Sequence, residues 1–541
     1  MNTIMLRVLR KPPGYVLATF LVSLGGFLNG YDTGSIGAVT EMPYFEATFG
    51  KLSPFHRGFT VSFIMLAGAV PSFFAGQLAD RFGRLSIVSF GALVFMMGVI
   101  MEGLASHIAM FLVGRGLGGL GEGLWLSCVS VYVTEIAPSA RRGMLVSMPQ
   151  LMACAGICAG YFTCYGTVQI QSDMSWKTPY IIQAVFAAVL ATSRFVLPQS
   201  PRWLLYHGQR DKATRELKRL DFSAVEAEKD LLGPAAGQQL SIRRPGPIEG
   251  LLMIFRKPYR KSTLLALYVL GMVQLSGIDG VLYYAPTLFA QAGLPATTAS
   301  FLASGLSAIL MLLISIPALL TADRVARRTS VILGGITLTA CMLTIGTLYA
   351  ADLVHATGPA RWVVIILVFV FGLAYVSTWG LVGKIYASEI QPPVTRSSAS
   401  CVAQGLGFFT NWLVAITTPV FLANSSFGAY FLFGGICLAT VIVLAATMPE
   451  TRGQSLEAIQ IAIQRPLTDG GRLTSWLRRW VRIQSRPSSV AGTQQTYADG
   501  AGVGETSGDE PVEMTGAVLA TDTADASSVE PGLRVMSLET R

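Results

Sequence analysis

Residues 78–84 read LADRFGR and residues 321–328 read TADRVARR, and each stretch comes directly after a long apolar run. Aligning Asp80 with Asp323 gives an offset of 323 − 80 = 243 residues. Two further pairs of short motifs recur at similar offsets: residues 134–138 (TEIAP) with 388–392 (SEIQP) at 389 − 135 = 254, and residues 198–202 (PQSPR) with 449–453 (PETRG) at 449 − 198 = 251. Three matches at similar offsets predict an internal repeat, in which the two halves of the chain share one structure.

The composition is that of a polytopic membrane protein. Of the 541 residues, 52% are hydrophobic and only 13% are charged, against about 25% charged residues in soluble domains. Because a helix needs about 20 apolar residues to cross the hydrocarbon core, we identify twelve candidate spans: residues 14–38, 58–79, 85–105, 109–133, 144–167, 179–197, 263–290, 298–321, 329–350, 362–387, 398–422 and 427–448. The sequence therefore predicts an all-α membrane protein with twelve transmembrane helices in two six-helix pseudo-symmetric bundles. An internal repeat in so apolar a chain is typical of secondary transporters.

The expected domains follow from these spans. They are a cytoplasmic N-terminus at 1–13, an N-terminal bundle at 14–197, a cytoplasmic linker with short helices at 198–261, a C-terminal bundle at 262–448, a cytoplasmic helix region at 449–484 and a disordered cytoplasmic tail at 485–541. Residues 473–483 place apolar side chains on one helical face and arginines elsewhere, which predicts a helix in the membrane interface. A short helix packed on the bundle, or no helix, is the alternative.

Basic residues between the spans predict the orientation. The arginines that fall in loops on one side, together with the basic segment 202–261, are Arg81, Arg84, Arg141, Arg142, Arg202, Arg327, Arg328, Arg396 and Arg452. The positive-inside rule makes that side cytoplasmic, and an even number of spans places both termini there. We expect a multi-pass protein of the plasma membrane. The net charge of +9 reflects this asymmetry, so we expect no binding of nucleic acid.

The motifs of several other classes of protein are absent from this sequence or lie in the wrong context. Residues 116–121 (GLGGLG) match the dinucleotide pattern GxGxxG, but they lie inside a predicted span, where small residues let helices approach closely. The sequence contains neither the GxxxxGK[ST] phosphate loop nor the HExxH metal motif. All seven cysteines lie in predicted spans and are expected to be small core residues. We therefore expect no enzyme activity, no cofactor, no metal and no obligate protein partner.

Ionisable side chains inside predicted spans are the first candidates for function, because charge in a bilayer is costly. Asp32 lies in the first span, and Arg115 and Glu122 lie in the fourth. Protonation of Asp32 would release Arg115 and so couple a proton to a conformational change. A static ion pair that only fixes helix packing is the alternative.

The motifs together resemble those of the sugar porters of the major facilitator superfamily, over residues 14–458, and the style is similar to fungal members of this sugar/inositol transporter family. The motifs that carry the resemblance are residues 30–34 (GYDTG), 80–84 (DRFGR), 114–116 (GRG), 135–138 (EIAP), 198–203 (PQSPRW), 274–277 (QLSG), 283–284 (YY), 323–324 (DR) and 449–453 (PETRG). The resemblance implies alternating access, with substrate bound between two bundles at mid-membrane. It also implies a cytoplasmic charge network that holds the outward-open state, formed by Asp80, Arg84, Glu135, Arg142, Asp323, Arg328, Glu389 and Arg396.

The resemblance implies a sugar site from which this chain departs in part. Gln150, Gln274 and Asn411 are kept, and amides suit polyols because they both donate and accept hydrogen bonds. The other expected substrate contacts are Tyr283, Asp279, Lys384 and Phe408. Where the family has a glutamine, an asparagine, a tryptophan and an Asn-Trp pair, this chain has Val273, Asp279, Lys384 and Gly407-Phe408 respectively.

Two interpretations of Asp279 and Lys384 follow. The two side chains pair across the cavity, which we favour because unpaired buried charge is costly, or Lys384 binds a carboxylate or acidic hydroxyl of a sugar acid or a small oxygenated metabolite. The predicted function is secondary active transport of a sugar or sugar-like polyol by proton-coupled symport, with the substrate, protons and the lipid bilayer as partners. A uniporter, a transporter of a sugar acid or specialised metabolite, and a sugar sensor are the alternatives.

Overall fold

The computed structural model describes residues 12–138, 141–222, 247–257, 259–293, 297–355, 358–392 and 395–452, together with Ile459 and Ile463. The predictions for the interfacial helix at 473–483 and for the tail at 485–541 lie outside the described residues, as do those for most of residues 1–13 and for much of the linker. Across the described part of the chain, the regular structure is helical.

The helices are, in chain order, α1 (Gly14–Val22), α2 (Leu24–Val39), α3 (Pro43–Phe49), α4 (Pro54–Phe82), α5 (Arg84–Gly103), α6 (Ile108–Ile136), α7 (Arg142–Val146), α8 (Met148–Thr167), α9 (Met174–Ala191), α10 (Ser193–Val196), α11 (Pro201–Tyr206), α12 (Arg210–Arg219), α13 (Pro247–Met253), α14 (Arg260–Gln274), α15 (Ile278–Tyr283), α16 (Ala285–Gln291), α17 (Thr297–Thr321), α18 (Arg327–Ala350), α19 (Ala360–Ser377), α20 (Trp379–Glu389), α21 (Arg396–Asn424) and α22 (Gly428–Thr447).

These helices make twelve membrane spans, as predicted. Spans 1–6 are α1–α2, α4, α5, α6, α7–α8 and α9–α10, and spans 7–12 are α14–α15, α17, α18, α19–α20, α21 and α22. Within the described residues, eleven of them are long and apolar enough to cross a membrane by hydropathy. Span 4 is the other one, with 29 residues, and its glycines and buried charged residues lower its hydropathy.

A glycine forms the sharp turn between α4 and α5 in the first repeated motif. Gly83 has φ +94°, a conformation that residues with a Cβ rarely adopt. Its amide bonds the Ala79 carbonyl and closes α4, so that Arg84 directly begins α5. In the second half, Ala326 precedes α18 with φ −69°. The repeat therefore preserves the charged residues more closely than the backbone of the turn.

The glycines of residues 116–121 serve helix packing, as the sequence predicts. Gly121 lies against the Gly91 carbonyl of span 3, and Gly119 lies against the Ile64 carbonyl of span 2. A Cβ at either position would collide with the neighbouring backbone. Small residues thus bring spans 2, 3 and 4 into close contact.

Two pairs of spans pack against each other across the interface between the halves. Span 2 packs along span 11, and span 5 packs along span 8. Accordingly, Ile157 and Tyr161 of span 5 belong to the apolar core of the second half, whereas Phe408 and Ala415 of span 11 belong to that of the first half. The pseudo-symmetry therefore extends from the sequence repeat to the interface between the bundles.

Candidate functional site

A partly open cavity lies between the two halves. Its polar lining comes from spans 1, 4 and 5 of the first half and from spans 10 and 11 of the second, and comprises Asn29, Ser130, Thr134, Gln150, Lys384, Ser388, Arg396, Ser400 and Gln404. A site built from both halves changes shape when the halves move, which is what alternating access requires.

Lys384 and Gln150 meet across this cavity. The Lys384 Nζ donates to Gln150 Oε1 at 2.8 Å, so the bond joins span 10 to span 5. The lysine side chain is solvent-accessible because it faces the cavity. The structure therefore places these two predicted substrate contacts together on the cavity wall.

The favoured Asp279–Lys384 ion pair is not formed. Asp279 is buried, and its Oδ2 accepts a bond from Gln274 Nε2 at 2.9 Å. The cause is the break in span 7, where Gly277 has φ +88° and α15 starts anew, so that Gln274 folds back onto Asp279. The Tyr375 hydroxyl donates to Gln274 Oε1 at 2.9 Å. Sequence reasoning missed Tyr375, since its place beside Gln274 depends on how spans 7 and 10 pack.

The remaining predicted substrate contacts do not line this cavity. Tyr283 and Phe408 are buried in the apolar core of the first half, and Asn411 is buried in span 11. The lining residues that sequence reasoning missed include Asn29 and Gln404. Spacing was a usable signal for both, because Asn29 lies one turn before Asp32 and Gln404 lies two turns before Asn411.

A cluster of ionisable side chains lies buried in the first half. Arg115 Nη1 donates to Asp32 Oδ1 at 2.6 Å, and Arg115 Nη2 donates to the Val61 carbonyl at 2.8 Å. Glu102 Oε2 lies 3.7 Å from Arg115 Nη1, and Glu122 Oε1 accepts from Asn29 Nδ2 at 2.6 Å. The sequence predicted the Asp32–Arg115 pair, but Glu102 at the end of span 3 was missed.

The charged motifs form the same arrangement twice, here called a clasp: one glutamate binds an arginine through one carboxylate oxygen and a hydroxyl group through the other. In the first half, Glu135 binds Arg84 Nη2 at 2.8 Å through Oε1 and Ser200 Oγ at 2.6 Å through Oε2. In the second half, Glu389 binds Arg327 Nη2 at 3.1 Å through Oε1 and Thr451 Oγ1 at 2.6 Å through Oε2. The side chains of each clasp come from the three motif pairs found in the sequence.

The second clasp contains Arg327, a residue that the predicted network did not include. The partner of Glu389 is Arg327, whereas Arg328 donates to the Ala445 carbonyl and its backbone amide bonds Glu450. Aligning the two motifs at Asp80 and Asp323 already places Arg327, four residues later, opposite Arg84.

The other predicted network residues occupy the same end of the bundles, here called the basic end. Asp80 pairs with Arg84 at 2.5 Å, and Arg396 donates to the Gln391 carbonyl at 3.1 Å. Arg142 begins α7. Asp323 reaches the other half, because its Oδ2 accepts from the Met144 amide at 3.2 Å.

The halves also touch at the end away from the basic end, here called the opposite end. Glu41 after span 1 accepts from Thr287 Oγ1 at 2.9 Å and pairs with Arg57. The Tyr161 hydroxyl donates to the Leu282 carbonyl. The cavity thus lies between contacts at both ends of the molecule.

Comparison with known proteins agrees with this architecture. The family model described as "Sugar (and other) transporter" matches residues 18–462. The arabinose-proton symporter of Bacillus subtilis (strain 168) is 30% identical over 457 residues, covering 82% of this chain and 94% of its own length. The MFS-type transporter criB of Aspergillus cristatus is 31% identical over 444 residues, covering 82% and 91%. Sugar transport protein MST3 of Oryza sativa subsp. japonica is 29% identical over 469 residues, covering 82% and 89%.

Solved structures show the same fold. The proton:xylose symporter XylE bound to 6-bromo-6-deoxy-D-glucose superposes with a TM-score of 0.71 at 22% identity, covering 83% of this chain and 99% of that one. The partially occluded inward-open form of XylE from E. coli gives a TM-score of 0.67 at 22% identity, covering 82% and 100%. The relatives come from plants, bacteria and a fungus, so they do not confirm a specifically fungal type. The chain belongs to the sugar (and other) transporter family of the major facilitator superfamily, whose members are membrane transporters and not enzymes.

Proposed function

We propose that this chain carries a sugar or sugar-like polyol together with a proton across the membrane by alternating access. The observation that carries the proposal is the buried Asp32–Arg115 ion pair beside the cavity between the halves. Asn29 lines that cavity and binds Glu122, so one side chain connects the substrate space to the ionisable cluster. The similarity to proteins named as proton symporters of arabinose and xylose supports this proposal.

The proposed coupling depends on the two acidic side chains beside Arg115, Asp32 and Glu102. With Asp32 charged, the ion pair ties span 1 to span 4. When Asp32 takes a proton, that attraction is lost, and Glu102 at 3.7 Å is the nearest alternative partner for the guanidinium. Span 1 then keeps the Asn29–Glu122 bond to span 4 but loses its ion pair with that span. A proton shifts the conformational equilibrium to the extent that it binds one state more tightly than the other.

We further propose that the basic end is cytoplasmic, that both termini lie on that side and that the membrane is the plasma membrane. The positive-inside rule supports the orientation. The proposed gate at this end consists of the two clasps with Asp80, Arg142, Asp323, Arg328 and Arg396. At the opposite end, the Glu41–Thr287 and Tyr161–Leu282 contacts close the path, and they must break when the cavity opens outward.

The test is uptake by the purified protein in proteoliposomes, with an imposed proton gradient and a panel of labelled hexoses, pentoses, polyols and sugar acids. We expect wild-type protein to accumulate its substrate against a gradient. Asp32→Asn should keep counterflow exchange and lose accumulation. The control is Asp173→Asn, because Asp173 is exposed and forms only a surface ion pair with Lys177. If the wild type equilibrates substrate without responding to the proton gradient, the chain is a uniporter.

A further inference from the structure

The charge of the cavity lining is one-sided. Among the described residues that line it, Lys384 and Arg396 are cationic, and no aspartate or glutamate is present. A concave site lined by one sign of charge concentrates ligands of the opposite sign. A neutral polyol does not need this arrangement, because amide and hydroxyl side chains satisfy its hydroxyl groups.

Lys384 keeps free donors directed at this space. Its ammonium group has three N–H donors, and the bond to Gln150 Oε1 uses one of them. Asp279 accepts a hydrogen bond from Gln274 and makes no direct contact with the Lys384 ammonium group. The Lys384 ammonium group therefore faces the cavity, and no carboxylate contacts it. A charge in such a place is destabilising when it has no partner of opposite charge.

The acids near Arg396 are also already bound. Glu135 is held by Arg84 and Ser200, and Glu389 is held by Arg327 and Thr451. Arg396 itself donates to the Gln391 carbonyl. Its guanidinium therefore adds positive charge at the basic end of the cavity.

We propose that the substrate carries a carboxylate beside its hydroxyl groups, and that Lys384 binds this carboxylate. This inference rests on the proposed transport function and narrows its substrate to a sugar acid or related polyhydroxy acid. Gln150 orients the ammonium group, while Asn29 and Gln404 are the amides available to the hydroxyl groups. Arg396 draws the anion toward the cavity.

The proposal changes the charge that transport moves. One proton carried with a neutral sugar moves one positive charge, and is driven by the membrane potential. One proton carried with a monoanionic acid moves no net charge. Uptake of the acid should therefore respond to a pH gradient and not to a potential set with potassium and valinomycin.

The experiment compares glucuronate, its uncharged methyl ester, glucose and glucose 6-phosphate. Thermal stabilisation of the purified protein measures binding, and proteoliposome uptake measures transport. We expect glucuronate to bind at least 10-fold more tightly than the ester or glucose. Because a hydrogen bond to a charged group is a strong one, Lys384→Gln should weaken glucuronate binding by roughly 10- to 100-fold, with partial rescue by Lys384→Arg. Lys212→Gln, at an exposed position of α12, is the matched control.

The outcomes separate the two proposals. Equal binding of glucuronate and glucose by the wild type overturns the carboxylate site, and needs no variant to do so. Preference for the phosphate ester over glucuronate overturns it as well. Proton-driven uptake of neutral sugar in either case leaves the transport function standing. Tight glucuronate binding without proton-driven uptake supports the site and refutes the coupling.

Discussion

At the scale of single residues, the buried acids outnumber the cations around Arg115. Asp32 pairs with the Arg115 guanidinium, Glu102 lies 3.7 Å from it, and Glu122 is bound by Asn29. The side chains of Asp32, Glu102, Glu122 and Arg115 have at most 1% of their surface exposed. An ionised carboxylate in such a place is costly unless it is paired and hydrogen-bonded. Arg115 is therefore central to the stability of this cluster.

Arg115→Met should strongly destabilise the protein, because it leaves Asp32 without its partner. Loss of one member of a buried pair costs about 3–5 kcal/mol. Combining Arg115→Met with Asp32→Leu should recover part of that loss, as coupled residues are not additive. Thermal melting in detergent measures both effects. Strictly additive losses would mean that the two side chains do not interact.

Glu102→Gln tests the alternative partner of Arg115. The variant keeps the shape of the side chain but not its ability to carry charge. We expect accumulation driven by the proton gradient to fall about 10-fold, the effect of about 1.4 kcal/mol, while exchange stays near wild type. Glu46→Gln, exposed on α3, is the control. Unchanged accumulation would remove Glu102 from the coupling step.

At the scale of structural elements, the two clasps show what the repeat preserves. A glutamate near the end of one span binds an arginine at the start of another and a hydroxyl beyond the sixth or twelfth span. Each clasp ties three segments of one half together. The halves can then move as units while their internal bonds stay intact.

Arg327→Gln should lower the free energy of unfolding by about 1.5–3 kcal/mol, since hydrogen bonds to charged groups contribute about that much. Arg324→Gln in the same motif is the control, because Arg324 is exposed and such surface changes stay within about 0.5 kcal/mol. Thermal melting of the two variants side by side decides the matter. Equal losses would show that Arg327 does not hold Glu389.

A second prediction at this scale concerns Gly277, which lies at the break in span 7. Gly277→Ala should destabilise the protein by about 1–3 kcal/mol, because a left-handed backbone strains a residue with a Cβ. The added methyl would also lie 2.6 Å from the Phe433 ring. Gly435→Ala in α22 meets no neighbouring atom and should be neutral or stabilising. Thermal melting that ranks the two variants the other way would contradict the assigned geometry.

At the scale of the whole molecule, the fold was predictable because membrane burial leaves strong sequence signals. Apolar length located the twelve spans, including span 4 with its charged residues, and the motif offsets predicted the two halves. The Asp32–Arg115 pair was predictable as well, since an acid and a base inside membrane spans are costly unless they are paired.

Side-chain pairing inside the cavity was less predictable, because it depends on helix rotation and on local breaks. The position of Gly277 turns Gln274 onto Asp279, and this leaves Lys384 to bond Gln150. Glu102 reaches Arg115 through the packing of the consecutive spans 3 and 4, and Tyr375 reaches Gln274 through the packing of spans 7 and 10, which lie apart in the sequence. Arg327 is a different case, because the repeat alignment contained the signal that identifies it.

The most direct test of proton coupling follows protons and substrate in the same proteoliposomes. A pH-sensitive dye records proton entry when the transported substrate is added without an imposed gradient. We predict that substrate entry brings protons with it in the wild type, and that Asp32→Asn exchanges substrate without moving protons. Substrate entry into wild-type vesicles with no accompanying proton movement would contradict the account.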